Sequence, residues 1–194
     1  MRVRKLLVMI VVLSLVFGTA AFAETISQSI KVEMNKKDIA DGGLLVDNKA
    51  YVGVGALAKA MQAMVSWDND AKKATIYKPN VHMITMKDNL IFGSVNSGRT
   101  KFQVLAQIDS LETDISAFKV TISNIYGDET LIDGRDSSDK DFPNKKDFWF
   151  KSKEFSYDFD IIGPYTIKFW MKKSGDSSSY QIVSEKVISS VSGK

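Results

Sequence analysis

Hydrophobic residues in the first third of the chain recur at every second position, which is the period of a β-strand. Ile30, Val32 and Met34 alternate with polar residues, and this alternation predicts a half-buried strand. The next stretch, LLVDNKAYV at residues 44–52, has two short apolar runs on either side of Asp-Asn-Lys at 47–49. Turn-forming residues between two apolar runs predict a β-hairpin.

The hydrophobic period then changes to that of an α-helix. One face of a helix about three turns long would be lined by apolar residues at helical spacing, namely Val54, Leu57, Ala58, Met61, Met64 and Val65. After it, residues 65–67 return to an extended pattern, 68–70 form a turn, and KATIY at 73–77 forms a closing strand. The pattern over residues 30–78 is therefore β-β-β-α-β-β, a small α+β unit.

Residues 80–194 are almost entirely strand-like, with frequent turns. Four stretches alternate so that one face is apolar, and their inward residues are Phe102, Val104, Ala106 and Ile108; Phe118, Val120 and Ile122; Phe155, Tyr157, Phe159 and Ile161; and Tyr165, Ile167, Phe169 and Met171. Two apolar segments precede these stretches, and YQIVSEKVI follows a polar turn as the second arm of a hairpin. About seven short strands at this spacing predict an antiparallel sandwich.

A glycine near a tyrosine refines this prediction. Gly163 shortly precedes Tyr165 at the start of the penultimate predicted strand, which is similar to the tyrosine corner of immunoglobulin-like domains. The cysteines of antibody domains are absent, so the likeness concerns architecture only. We therefore predict a small α+β domain at 24–79, followed by an all-β antiparallel sandwich of immunoglobulin-like architecture at 80–194.

The order of motifs in residues 30–78 resembles the copper amine oxidase-like N-terminal domain, also called a stalk domain. The likeness rests on a strand and hairpin followed by V-x-V-x-A-L-A-K-A-M, then V-S-W-D, then K-A-T-I. The chain departs from the family in having Gly53 and Gly55 near the helix start, where Pro and Arg are usual. The resemblance implies an add-on module of secreted bacterial proteins. In the oxidases copper and the quinone cofactor lie in a different domain, so it implies no cofactor, metal or active-site residue here.

A secretory signal peptide is predicted for residues 1–23. It has a basic start, an apolar run from Leu6 to Phe17, and small residues in Ala-Phe-Ala at 21–23, with cleavage expected after Ala23. The alternative is an uncleaved membrane anchor, but the apolar run is shorter than the roughly 20 residues that a span needs. Cleavage predicts a protein that is secreted, extracellular or cell-wall associated, with no membrane span.

Cleavage also changes the charge of the chain. The full chain has 26 Lys and Arg against 23 Asp and Glu, and the signal peptide holds Arg2, Arg4 and Lys5 but no acidic residue. The mature chain is therefore formally neutral, without the surplus of positive charge that nucleic acids or anionic membranes require of a partner. The chain has no cysteine, which excludes disulfide scaffolds and thiolate metal sites.

Residues that carry enzymatic chemistry are few. His82 is the only histidine, and the alternation of its strand places it with Ile84 and Met86; a structural or interface role is expected of it. The chain contains none of the motifs G-x-S-x-G, S-x-x-K or H-E-x-x-H. Asp158 and Asp160 form a carboxylate pair at strand spacing, which leaves a small hydrolase as an alternative.

The acidic loop at residues 133–147 raises the question of calcium binding. Asp133, Asp136, Asp139 and Asp141 are candidate ligands, because calcium prefers carboxylate oxygens. Their spacing does not match an EF-hand, and the loop also contains the basic residues Arg135, Lys140, Lys145 and Lys146. A solvated loop whose charges balance is therefore favoured over a calcium site.

Two tryptophans are the candidate ligand-binding residues. Trp149 and Trp170 are each out of phase with the apolar residues beside them, which predicts that they point outward and offer a platform for a sugar ring or a protein. The interpretation favoured over this one is that a loop or the stalk-like unit covers them, or that a bulge turns them into the core. Met61 and Met64 are predicted to fill the core rather than bind copper.

These patterns predict a secreted, non-enzymatic protein that binds a polysaccharide or another protein at the cell surface. One alternative is a regulator or inhibitor of a secreted enzyme, which would use the acidic loop or the SGDSSS hairpin as its contact surface. Another is the small carboxylate-dependent hydrolase named above. An exposed edge strand also leaves a homo-oligomer open.

Overall fold

The computed structural model describes residues 27–175 and 179–193, so the predicted signal peptide lies outside the described residues. The described chain is mostly β, with several antiparallel sheets and one short helix. The first part consists of β1 (Gln28–Ile30), β2 (Glu33–Met34), β3 (Lys37–Asp38), β4 (Gly43–Val46), β5 (Lys49–Val52), α1 (Val54–Ala60), β6 (Met64–Asp68) and β7 (Lys73–Tyr77). Within residues 27–175 and 179–193, no helix has the length and apolar character needed to cross a membrane.

The described residues from 80 onward form ten strands. They are β8 (Asn80–Lys87), β9 (Leu90–Phe92), β10 (Ser94–Asn96), β11 (Gly98–Asp109), β12 (Ile115–Ser123), β13 (Glu129–Asp136), β14 (Phe148–Lys151), β15 (Phe155–Phe159), β16 (Gly163–Lys173) and β17 (Gln181–Val191). The predicted boundary at residues 79 and 80 falls between β7 and β8.

The N-terminal strands form three small sheets, ordered β1-β4-β5, β2-β3 and β6-β7. The predicted hairpin of β4 and β5 is confirmed: Asp47 and Asn48 have φ values of 49° and 59°, as in the turn that best suits a two-residue hairpin. The single strand predicted over residues 30–34 is wrong. Lys31 and Val32, between β1 and β2, belong to no strand, and β1 pairs with β4 whereas β2 pairs with β3. The β2-β3 turn is made by Asn35 and Lys36, which also have positive φ, 51° and 63°.

The helix is shorter than the three turns predicted from its apolar spacing. It ends at Ala60, and Gln62 follows in the left-handed region at φ 54°. Gln62 N–H then donates to Lys59 O and Ala63 N–H to Ala58 O, the two bonds of a Schellman motif. Two consequences correct the sequence prediction: Met64 belongs to β6 and is fully buried, whereas Met61 is 39% exposed and does not fill the core.

Two larger sheets face each other in the second part. One has the order β10-β17-β16-β12-β13, and the other has the order β14-β11-β8-β9, with β15 also pairing with β11. The chain changes sheet between β9 and β10, and β10 pairs in parallel with β17, with Ser94 opposite Ser189. Aromatic rings cross the space between the sheets; Phe118 of β12 lies 4.9 Å from Phe150 of β14, measured between ring centroids.

The alternation predicted for these strands is confirmed for the inward faces of β11, β12 and β16. The residues concerned have at most 1% of their surface exposed, and they are Phe102, Val104, Ala106, Ile108, Phe118, Val120, Ile122, Tyr165, Ile167, Phe169 and Met171. At the entry to β16, the Tyr165 hydroxyl accepts the Ile161 N–H at 3.1 Å and lies 3.4 Å from an Asp160 carboxylate oxygen. This backward bond has the geometry of a tyrosine corner.

The first part contacts the second part through β6. Met64 packs into the same core as the two large sheets. The Gln181 side-chain amide accepts the Val65 N–H at 2.8 Å and donates to Val65 O at 3.3 Å, as a neighbouring strand would do. Lys173 Nζ also donates to Ser66 Oγ at 3.0 Å. Both core burial and polar bonds therefore hold β6 against β16 and β17.

Candidate functional site

The outer face of the β14-β11-β8-β9 sheet carries Trp149, the more exposed of the two predicted ligand-binding tryptophans. Phe150 of β14 is buried in the core, so the strand period directs Trp149 to the opposite side. Trp149 is 63% exposed there. For Trp149, the structure therefore agrees with the outward orientation rather than with burial under a loop.

Strand register places polar side chains in a row beside this ring. Trp149 lies opposite Gln107 of β11, and Gln107 lies opposite His82 of β8. The next row contains Asp109 opposite Asn80, and Gln107 Nε2 donates to Asp109 Oδ1 at 3.2 Å. We call these five residues the tryptophan face. It combines a flat aromatic surface with amide, imidazole and carboxylate groups that are able to donate and accept hydrogen bonds.

The structure places His82 directly opposite an amide rather than a carboxylate. It is exposed on the outer face of β8, while Val81 and Met83 on either side of it are buried. Its cross-strand neighbour is the amide of Gln107, which neither activates nor orients an imidazole as a triad carboxylate would. The side chain is therefore placed to contact a ligand lying on the sheet.

Trp170 lies on the outer face of the other large sheet and is half-buried. Its indole Nε1 donates to Thr121 Oγ1 at 2.8 Å, and the ammonium groups of Lys119 and Lys168 lie 5.2 Å and 5.8 Å from its ring centroid. Trp149 and Trp170 therefore lie on opposite outer faces and do not form one site. Residues of α1 and β6 line the same cavity as the Trp170 ring. The first part of the chain therefore covers Trp170 in part, which agrees with the interpretation that the stalk-like unit covers it.

The four aspartates considered for calcium are each bound to donors within the protein. Arg135 lies between two of them, with Nη1 2.9 Å from Asp133 Oδ1 and Nε 2.8 Å from Asp141 Oδ2. Asp136 accepts from Ser138, and the remaining member of the set, Asp139, accepts the Asp136 N–H. In the part of the chain that the structure describes, no three His, Cys, Asp or Glu side chains are grouped so as to hold a metal.

The guanidinium of Arg135 sets the titration of its exposed partner. Its hydrogen bond holds the pKa of Asp141 below the ordinary value of 3.8, and the Ser138 hydroxyl and N–H lower the pKa of Asp136. A carboxyl whose pKa is lowered by folding stabilises the fold above its unfolded pKa and loses that contribution as pH falls through the folded value. The Arg135–Asp141 contact therefore weakens in acid.

Replacing Arg135 with Met is expected to raise the pKa of Asp141 toward 3.8, because the donor to its carboxylate is lost. The measurement is an NMR titration of the side-chain carboxyl carbons. Asp136 is an internal control, since its pKa is lowered by Ser138 rather than by Arg135. An unchanged Asp141 titration would show that Arg135 does not govern this carboxylate.

The carboxylates considered for hydrolysis do not form a pair on one strand. Asp158 is exposed within β15, opposite Arg99 of β11. Asp160 lies beyond the end of β15, where its carboxylate is near the Tyr165 hydroxyl. The two side chains are therefore held by different parts of the structure. The SGDSSS hairpin considered as an inhibitory contact includes residues 176–178, which lie outside the described residues.

The sequence interpretation did not single out three members of the tryptophan face: Gln107, Asp109 and Asn80. Each is a common polar residue at an outward strand position, and nothing local distinguishes it from other such residues. What brings these residues beside Trp149 is the register of three strands that are distant in sequence. The one sequence signal for this site was the strand period that directs Trp149 outward.

Comparison with protein-family models, with curated proteins and with solved structures found no match for this chain. The resemblance of residues 30–78 to the stalk domain therefore stays a prediction. The chemistry of the tryptophan face and the signal peptide predicted from sequence are what bear on the function of this chain.

Proposed function

We propose that this chain is a secreted, non-enzymatic binding protein of the bacterial cell envelope or extracellular space, and that it binds polysaccharide through the tryptophan face. One observation carries the proposal: Trp149 is 63% exposed on a sheet surface, in register with Gln107 and His82. Burial of an exposed tryptophan ring by a ligand is favourable in free energy. Because polar groups lie beside this ring, a ligand with hydroxyl groups suits the surface better than a purely apolar one.

A polysaccharide fits this surface better than a protein for a geometric reason. A sugar ring has an apolar face that stacks on an indole and an edge of hydroxyl groups that hydrogen-bond, and the tryptophan face has both elements side by side. Protein binding remains an outcome that the experiment below distinguishes.

We further propose that residues 80–194 are an immunoglobulin-like sandwich and that residues 24–79 are a stalk-like module. The facing sheets and the Tyr165–Ile161 bond support the first assignment. The helix followed by the β6-β7 hairpin supports the second. Five strands in two sheets, β1-β4-β5 and β2-β3, precede the helix, instead of the three strands predicted. Any stalk-like module here therefore has more and shorter strands than the predicted pattern.

Replacing Trp149 with Ala is expected to weaken polysaccharide binding about 30-fold, because a tryptophan at the centre of a binding surface contributes about 2 kcal/mol or more. The melting temperature should change little, since the ring is mostly exposed. The measurement is co-sedimentation of the mature protein with peptidoglycan and other insoluble polysaccharides, preceded by a glycan array to choose the ligand.

Trp67→Ala is the matched control, because Trp67 is 61% exposed on β6, outside the tryptophan face. Equal binding by wild-type protein and both variants would contradict the assignment of the tryptophan face. Absence of binding to every glycan, together with capture of one envelope protein that depends on Trp149, would replace polysaccharide with protein as the ligand class.

A further inference from the structure

A cavity of about 360 Å³ lies where α1 and β6 meet the outer face of the β10-β17-β16-β12-β13 sheet. Its walls come from both parts of the chain. They include Gly55, Lys59 and Val65 of the first part, and Trp170, Tyr180 and Ile182 of the second. We call it the junction cavity. Its volume lies within the range of small-molecule sites, which are mainly apolar with a few placed polar groups. It is on the sheet opposite the tryptophan face.

The junction cavity combines aromatic rings with positive charge. Lys119 Nζ lies 5.2 Å from the centroid of Trp170 and 4.7 Å from that of Tyr180, and Lys59 contributes directly to the wall. None of the ion pairs between described residues includes Lys59 or Lys119. The cavity wall in the described chain contains no Asp or Glu, so its charge is complementary to an anion.

The walls are held in place by bonds that do not involve a ligand. The Trp170 indole is fixed by its bond to Thr121, and the Gln181 amide bonds both the N–H and the C=O of Val65. A site whose side chains are already oriented loses less conformational entropy when a ligand enters. The junction cavity therefore has the preorganisation of a binding site.

We propose that the junction cavity binds a small carboxylate with an apolar body. The body contacts Trp170, Val65 and Ile182, and the carboxylate lies near the ammonium groups of Lys59 and Lys119. This inference does not depend on the proposed polysaccharide function, because none of the tryptophan-face residues line the cavity.

The chain provides its own reporter for this site. It has three tryptophans, so a protein carrying both Trp67→Phe and Trp149→Phe retains only Trp170. Its fluorescence is titrated with octanoate and, as the uncharged counterpart, with octanol. We expect saturable binding of octanoate, with octanol about tenfold weaker, because a charge-assisted contact contributes about 1.5 kcal/mol. Equal affinity for the two probes would overturn the assignment of a carboxylate.

Filling the cavity tests its location. Gly55 lines the cavity, and a Cβ built on it meets no atom within 4 Å, so the backbone accepts a side chain here. Gly55→Leu adds apolar volume at the cavity wall and raises helix propensity. We expect this variant to lose octanoate binding while it keeps its circular dichroism spectrum. Gly93→Leu is the matched control, since its Cβ also meets no atom within 4 Å but lies between β9 and β10. Octanoate binding by Gly55→Leu at wild-type affinity would overturn the proposal.

A second pair of variants tests the charge and does not depend on how Gly55→Leu folds. Lys119→Met keeps an unbranched apolar stem but removes one of the two charges, so it should reduce the preference for octanoate over octanol, with Lys59 supplying what is left. Lys119→Arg keeps the charge and its contact with aromatic rings, and it should retain the full preference for octanoate. An undiminished preference for octanoate in Lys119→Met would overturn the role assigned to this lysine.

Discussion

Replacing Asp133 with Ala is expected to lower the free energy of unfolding by about 3 kcal/mol, because the part-buried N–H groups of Gly134 and Lys153 lose their acceptor and Arg135 is left with only the exposed carboxylate of Asp141. The Asp133 side chain is 8% exposed. Its carboxylate accepts hydrogen bonds from Arg135 Nη1 at 2.9 Å, from the Gly134 N–H, and from the Lys153 N–H at 2.8 Å. The bond to Lys153 joins β13 of one large sheet to the segment that follows β14 of the other.

Thermal and denaturant unfolding measure this effect, and a loss of about 3 kcal/mol corresponds to a melting temperature lower by roughly 6 to 12 °C in a chain of this size. Asp136→Ala is the control within the same loop, because its carboxylate is exposed and accepts only from Ser138. Its cost should stay below about 0.5 kcal/mol. Similar losses in both variants would show that Asp133 does not join the two sheets.

Replacing Phe118 with Ala should cost about 4 kcal/mol, the middle of the range for removing a buried aromatic ring. Phe118 is 1% exposed, and its ring centroid lies 4.9 to 6.0 Å from four other phenylalanines, namely Phe142, Phe148, Phe150 and Phe169. It therefore lies at the centre of the contact between the sheets, and the cavity left behind has rigid walls.

Urea unfolding of Phe118→Ala gives the free-energy change, and Phe118→Leu separates the volume of the ring from its aromatic character. The leucine variant should recover a substantial part of the lost stability, because it refills much of the cavity. Tyr126→Ala is the control for removing an aromatic ring at the surface, since Tyr126 is 74% exposed. A loss below about 1 kcal/mol for Phe118→Ala would mean that the sheets are held mainly elsewhere.

The long strands were predictable because burial of one face forces a strict period of two. β11 and β16 keep that period over twelve and eleven residues, and a slip of one residue would expose Phe102 and Phe169 to water. The helix was less predictable, because Met64 and Val65 fit both a continuing helical face and the start of a strand. The Schellman bonds at Gln62 and Ala63 decide between them, and no Gly or Asn in the sequence marks that turn.

The candidate sites show a similar division. Strand phase was sufficient to direct Trp149 away from the core, but the neighbours of its ring depend on the pairing of β8, β11 and β14. For Trp170, the strand period correctly predicted that its side chain lies on the outer face of its sheet. How much of the ring is exposed depends on the nearby helix α1, which no strand pattern indicates. In the acidic loop, the sequence showed that the charges balance but not that Arg135 lies between Asp133 and Asp141.

The position of β17 between β10 and β16 sets the order in which this protein is able to assemble. During synthesis β10 is made long before β17, and it has no other partner strand in its sheet. Val183 and Ile188 of β17, both almost completely buried, are also missing from the core until that strand is made. The β10-β17-β16-β12-β13 sheet is therefore completed only when β17 has been made. For a chain that we propose to be exported, this order favours a ribosome-bound chain that is still unfolded when it meets the export machinery.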